Sequence, residues 1–438
     1  SGNTTVNLQS GAGGNTLTIG GGSGTDLDVQ SGSALNMNGT NVLNIVVGTG
    51  ATGSFTGNMT CTGAASRLNA SDASGITFNS GATLTQTGNC TGNVFTAAGT
   101  PNAVVFASGS NFVQQTGANP FGLTQPNSKV VFQTGSLFRM EQNAAPSFVG
   151  RTYANFEVNA ATFNQSVTGS TAPLTLDNLT ITDGTLNLNL TGGINLKGNI
   201  SVATGATLTF SPASANTLSL NGSSPQTISG AGTLTFASNT AVSITNAAGV
   251  TLARNVTISG SLTVSSAGTF DANGNGITVS GTLTNNGTLR QTLNVNGNTA
   301  VDFFNTGNYG GAVLNAAGGG DLGSTLVIIK GNQTCYFDIA AVKRCYDIQP
   351  TNNTGRNATV TLAYYTSPND EENGLTCANL DMYRYNGASW VVAGNTPTNT
   401  CGGSTRSVQK LAVASFSPFA LQDPGMTPTP TNTATATA

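Results

Sequence analysis

The chain has 438 residues, of which only 7% are charged and 37% apolar, and its formal net charge is −3. No Lys/Arg cluster supplies the basic stripe that nucleic acid needs, no apolar run approaches the roughly twenty residues that span a bilayer as a helix, and the complete lack of His removes the commonest general base and metal ligand. The positions that charges would fill carry Gly, Thr, Asn and Ser, residues of turns and short strands, so the composition predicts repeated turn–strand–turn units in place of helices.

From the N-terminus, a Gly, a small residue and then an apolar residue recur. Examples are Gly32-Ser33-Ala34-Leu35, Gly81-Ala82-Thr83-Leu84, Gly205-Ala206-Thr207-Leu208, Gly232-Thr233-Leu234 and Gly281-Thr282-Leu283. Between them run alternating segments such as Leu174-Thr175-Leu176 and Val256-Thr257-Ile258, whose period of two gives one apolar face and one polar face. A unit this short cannot bury its apolar face alone, but stacked coils join those faces into one core. Residues 1–298 are therefore expected to form a parallel β-helix (β-solenoid), with Gly at corners that need positive φ. A sandwich remains the alternative for parts of this region.

Between residues 94 and 163 Phe becomes frequent (Phe95, Phe106, Phe112, Phe121, Phe132, Phe138, Phe148, Phe156, Phe163). Wider coils with a thicker core are expected, against the alternative of an exposed aromatic binding face. Near residue 300 Tyr, Lys, Arg and acidic residues become denser. Strands are expected at 326–330, 336–339, 346–348, 360–365, 380–385, 390–392, 408–413 and 419–421, with Asn386-Gly387 as a hairpin turn. Residues 299–423 read as a small disulfide-containing β-sandwich. Residues 424–438 read as an extended Thr/Pro/Ala-rich tail.

Six cysteines without CxxC spacing point to an oxidising compartment, and locality favours Cys61–Cys90, Cys335–Cys345 and Cys377–Cys401 over free thiols. With no initiator Met and no signal peptide, the chain is read as a processed, secreted product.

The stretch Lys343-Arg344-Cys345-Tyr346-Asp347-Ile348-Gln349-Pro350, then Ala358-Thr359-Val360-Thr361-Leu362, then Leu380-Asp381-Met382-Tyr383-Arg384-Tyr385-Asn386-Gly387 with Trp390, then Ser415-Phe416-Ser417-Pro418-Phe419-Ala420-Leu421, resembles a C-terminal β-sandwich module. That module follows adhesin-like β-helical repeats in bacterial cell-surface proteins. The solenoid resembles filamentous-haemagglutinin-like and autotransporter-type repeats in style, and the Thr-Pro run resembles stalks or linkers in surface proteins of filamentous bacteria. The resemblance implies export and a surface role. It supplies no catalytic residues, and the cysteines depart from it as added staples.

Parallel β-helices also host polysaccharide lyases and hydrolases, which need clustered carboxylates or a basic catalytic residue in a groove. The best pair is Asp26 and Asp28, both facing outward from one strand. Asp177 and Asp183 each adjoin a turn residue and are read as backbone-bonding. The run Asp370-Glu371-Glu372, followed by Asn373-Gly374, is a Ca²⁺ candidate without EF-hand spacing, and an exposed hairpin loop is the preferred reading. No catalytic set, no other metal and no other cofactor is expected.

The expected function is that of an extracellular structural subunit of a self-assembling filament, sheath or layer. Its contacts are head-to-tail, through the first solenoid coil (Val6, Leu8, Leu17, Ile19) and the tail (Thr427, Thr429, Thr431, Thr433, Thr435, Thr437). The expected partner is a second copy. Surface glycans are the alternative partner for a monomeric adhesin or carbohydrate-binding protein, and the tail threonines are candidates for O-glycosylation.

Overall fold

The computed structural model describes residues 3–96, 98–169, 171–318, 320–335, 341–367 and 369–425. It is 48% strand and 1% helix, with a β-solenoid of about 11 turns and a separate antiparallel sheet towards the C-terminus. By contact density the chain forms two compact units, Ser1–Gly222 with Thr227–Thr240, and Ser223–Gln226 with Ala241–Ala438.

In the first unit each coil visits three faces. The first face stacks Thr5–Leu8, Ala34–Met37, Asn58–Cys61, Thr83–Gln86, Asn111–Gln114 and Leu137–Met140, all parallel. Register holds along one inward column, Val6–Leu35–Met59–Leu84–Phe112–Phe138–Phe156–Leu179–Ile200. A period of two is what permits this. Each strand alternates half-buried and buried positions, the buried ones mostly apolar, so slipping by one residue would turn that inward set outward.

The second face stacks Asn15–Ile19, Leu43–Val47 and Arg67–Ala70. The third stacks Leu27–Val29, Gly53–Phe55, Ile76–Phe78, Val104–Phe106 and Val130–Phe132. On the third face Phe55, Phe78, Phe106 and Phe132 form a ring ladder with centroids 4.6, 4.6 and 4.8 Å apart, close to the spacing of neighbouring strands. In the coils that begin at Thr83 and Asn111 the second face is a loop, and Phe95 and Phe121 enter the core from it. All nine phenylalanines of the 94–163 region are buried. They form the thick core, and the alternative of an exposed aromatic face is excluded.

Two strands depart from the short-strand expectation. Asn155–Gly169 and Asn178–Leu190 each continue from one face to the next through shifts in register near Val158 and Asn159. The repeated Gly also has two separate causes. Gly205 takes φ of +87°, where an L side chain is strained. Gly281 does not need positive φ; a Cβ there would lie 2.6 Å from the carbonyl oxygen of Gly260 on the coil above, so close packing of rungs selects it.

The second unit opens with further parallel coils, in which Val250 lies beside Phe270, Val256 beside Ile277 and Leu262 beside Leu283. Thr288–Val295 then changes the pattern. It pairs in parallel with Thr269–Asn273 on one side and antiparallel with Gly323–Gly331 on the other. The antiparallel sheet continues through Arg344–Pro350, Pro418–Gln422, Asp381–Tyr385 and Trp390–Val392. A second antiparallel sheet contains Val301–Phe303, Ala312–Asn315, Ala358–Tyr365, Thr405–Val413 and Thr398–Thr400. Because one strand serves both the last coil and the sandwich sheet, the expected boundary at 298 coincides neither with the change of pairing at Thr288 nor with the division into compact units. Asn386 forms the predicted hairpin turn, its Oδ1 accepting from the Ala388 and Ser389 amides at 2.9 Å. The strand expected at 336–339 and the tail from residue 426 lie outside the described residues.

The three disulfides join Cys61 to Cys90, Cys335 to Cys345 and Cys377 to Cys401. Cys335 and Cys345 sit in an apolar cluster with Ala341 and Ala420, against which Trp390 packs. In the same unit Lys410 on one sandwich sheet meets Asp381 on the other at 2.5 Å.

Burial raises the phenols of Tyr346, Tyr364 and Tyr365 above their ordinary value in the second unit, and that of Tyr153 in the first. A raised phenol stays protonated in the folded chain after the unfolded chain has lost its proton. The stabilisation is therefore complete below a pH of about 10 and falls as pH rises from there towards the raised values. Denaturation midpoints measured from pH 8 to 12 should hold steady and then drop, more steeply for the second unit than for the first. Equal slopes for the two units would contradict this.

Candidate assembly surface

The first coil carries the same inward pattern as the coils below it, but nothing among the described residues lies above it. Val6, Leu8, Leu17 and Ile19 stand in register over Leu35, Met37, Ile45 and Val47. Those four partners are buried, whereas Val6 is 46% and Leu17 42% exposed, and Leu8 and Ile19 are half-buried. Thr5–Leu8 pairs on one side with Ala34–Met37, and Asn15–Ile19 on one side with Leu43–Val47; no strand among the described residues pairs with their other sides. The end thus presents two things at once, a row of strand edges and a cross-section of the apolar core.

Strand edges are normally protected by charges, Pro or covering segments. Residues 3–25 contain no Asp, Glu, Lys or Arg. On the first face the outward polar positions bond across rungs, with Asn7 Oδ1 accepting from Asn36 Nδ2 at 3.1 Å and Asn38 Nδ2 at 3.0 Å. On the second face the outward positions are Thr16 and Thr18.

The last coil, in the second unit, is finished differently. Its first-face strand is covered by Gly323–Gly331. The Val279 amide donates to Tyr309 Oη at 2.8 Å, and the same hydroxyl donates back to the Val279 carbonyl. Asn285 Nδ2 donates to the Ile329 carbonyl at 3.2 Å, and the Gly331 amide to the Gly287 carbonyl at 3.0 Å. Each face of that coil therefore has a partner from the sandwich.

The other residues singled out in the sequence fall apart as a site. Asp26 Oδ2 accepts from the Thr52 amide at 2.9 Å, and Asp28 Oδ2 from Gln30 Nε2 at 3.0 Å, so each has a local bonding role. Asp183 accepts from the Gly184 amide at 2.8 Å, as its turn position predicted. One carboxylate oxygen of Asp177 is buried without a hydrogen-bond partner. The acidic run is not an exposed hairpin loop. Asp370 is exposed, but Glu371 is fully buried against Arg344, whose Nη1 lies 2.7 and 2.8 Å from its two oxygens. Glu372 is paired with Arg406 at 2.6 and 2.7 Å. The two glutamates thus serve two separate arginines, and the three carboxylates do not converge as a shared Ca²⁺ ligand set would. Burial alone would depress the Arg344 guanidinium, but the carboxylate beside it holds it above its ordinary value.

Two features escaped sequence reading. One is Tyr309 as the stopper of a solenoid strand; an isolated Tyr in a Gly-rich segment gives no signal for that role. The other is an open cleft of about 470 Å³ in the second unit, lined among others by Ser280, Thr282, Asn308, Tyr365, Ser404 and Thr405 and by no charged residue.

No helix among the described residues is long and apolar enough to cross a membrane. Comparison with family models, with curated proteins and with solved structures finds no match.

Proposed function

We propose that this chain is an extracellular structural protein, a subunit of a surface filament, sheath or layer that assembles head to tail through its open first coil and its C-terminal tail. The carrying observation is the charge-free stretch 3–25 on the first two faces of the first coil, whose inward apolar side chains and strand edges lack a covering strand among the described residues. Covering about 25 cal/mol per Å² of apolar surface favours any partner that continues the rungs, and strand addition supplies the missing backbone hydrogen bonds. A head-to-tail contact whose rotation does not close yields a polymer. The disulfide pairing of all six cysteines supports an oxidising, extracellular setting. The resemblance of residues 300–423 to modules of bacterial surface proteins agrees with it.

Because the sandwich already occupies the last coil, the head-to-tail contact is not coil upon bare coil. The first coil must receive another segment of the neighbouring copy. The double variant Val6→Lys with Leu17→Lys tests the reading. Both side chains are exposed in the single chain, so its stability should stay within about 0.5 kcal/mol of the parent. Polymers seen by negative-stain microscopy and sedimentation should disappear. Polymers formed as readily by the variant would overturn the role of this end.

The uncharged, hydroxyl-lined cleft favours a second reading, a carbohydrate-binding surface protein. Calorimetric titration of neutral oligosaccharides into the parent and into Ser404→Trp decides it: heat present in the first and lost in the second supports this reading, and no heat in either removes it.

A further inference from the structure

Among the described residues the first coil offers three strand edges to a partner, and they differ in what they would accept. Leu27–Val29 on the third face pairs on one side with Gly53–Phe55 and turns the charged Asp28 outward, which sets it apart from the other two. On the first face the outward Asn7 side chain is already engaged by Asn36 and Asn38, an asparagine arrangement that a continuing strand would have to match. On the second face Asn15–Ile19 presents Thr16 and Thr18 outward and Leu17 and Ile19 inward over Ile45 and Val47. A strand suited to that edge has Thr at every second position, small apolar residues between, no charge, and free backbone N–H groups.

One segment of the chain has that pattern, and it lies outside the described residues. Pro428 and Pro430 lack the N–H a ladder needs, but residues 431–438 contain none. Thr431, Thr433, Thr435 and Thr437 alternate with Asn432, Ala434, Ala436 and Ala438. As a strand it puts Thr on one face and mainly Ala on the other. Its length exceeds that of Asn15–Ile19, and neither segment carries a charge.

We infer that residues 431–438 of one copy add as a strand to the open edge of Asn15–Ile19 of the next. Ala434 and Ala436 close the core over Leu17 and Ile19, and Thr433, Thr435 and Thr437 extend the outward threonine row, where cross-strand Thr pairs hydrogen-bond. The inference rests on the proposed assembly and names the donor segment and the face that receives it.

The test uses the full chain carrying Thr18→Cys mixed with the full chain carrying Thr435→Cys, assembled and then mildly oxidised. A disulfide between Cys at 18 of one copy and at 435 of another, mapped by mass spectrometry, is the expected result. In parallel, Thr435→Pro should reduce polymer yield at least tenfold, while Thr435→Val, which keeps the N–H and the β-branched shape, should leave it near parental. Polymers in the Pro variant at parental yield, or with cross-links only between two first coils, overturn the donor while leaving assembly intact. A parent chain that stays dispersed overturns assembly and the donor together.

Discussion

Replacing Glu371 by Gln should destabilise the sandwich by about 3–5 kcal/mol, the cost of leaving one member of a buried ion pair without its counter-charge. Arg344 and Glu371 are both fully buried. The carboxylate also accepts the Tyr365 amide at 2.8 Å and the Asn332 amide at 3.2 Å. The guanidinium donates to the Tyr309 carbonyl at 3.2 Å and stacks over the Tyr365 ring at 5.0 Å. Gln keeps the shape and one acceptor but removes the charge that offsets burial of the arginine. Chemical denaturation followed by fluorescence reads this cleanly, because Trp390 is the one tryptophan and packs on the Cys335–Cys345 cluster of the sandwich. The double variant Glu371→Leu with Arg344→Met removes both charges and should cost less than Glu371→Gln alone. Equal or greater loss in the double variant would show that the site's hydrogen bonds outweigh the ion pair.

Phe106→Ala should destabilise the first unit by about 3–5 kcal/mol. Phe106 is fully buried between Phe78 at 4.6 Å and Phe132 at 4.8 Å, and also touches Phe95 and Phe112. Rungs held by backbone hydrogen bonds above and below cannot collapse into the space, so the cavity term is retained. Phe106→Leu, which restores most of the volume, should cost markedly less. Far-UV circular dichroism melts measure both; a loss below about 1 kcal/mol for the alanine variant would mean that the ladder adapts by sliding.

The parts of this fold legible in the sequence are those written in local periodicity. Alternation marks the inward columns, the Phe-rich stretch reads as core because its rings alternate with polar neighbours, and the disulfide pairs are local in sequence. What was not legible depends on partners far along the chain. Asp370-Glu371-Glu372 looks like solvated surface, and only Arg344 and Arg406, brought in from other strands, bury one carboxylate and clamp the next. Thr288–Val295 reads as one more solenoid strand; that its far edge belongs to an antiparallel sheet is decided by Gly323–Gly331. The same holds for the contrast between the two ends. The inward apolar positions of the first coil are readable from alternation, but the closure of the last coil by Tyr309, Ile329 and Gly331 emerges only from packing.

Cryo-electron microscopy of the natively assembled material tests the central claim most directly. The account predicts an extra strand from a neighbouring copy lying about 4.8 Å beyond the edge of Asn15–Ile19, with Leu17 and Ile19 buried beneath it. Filaments whose subunits meet elsewhere, with that edge still facing solvent, would contradict it.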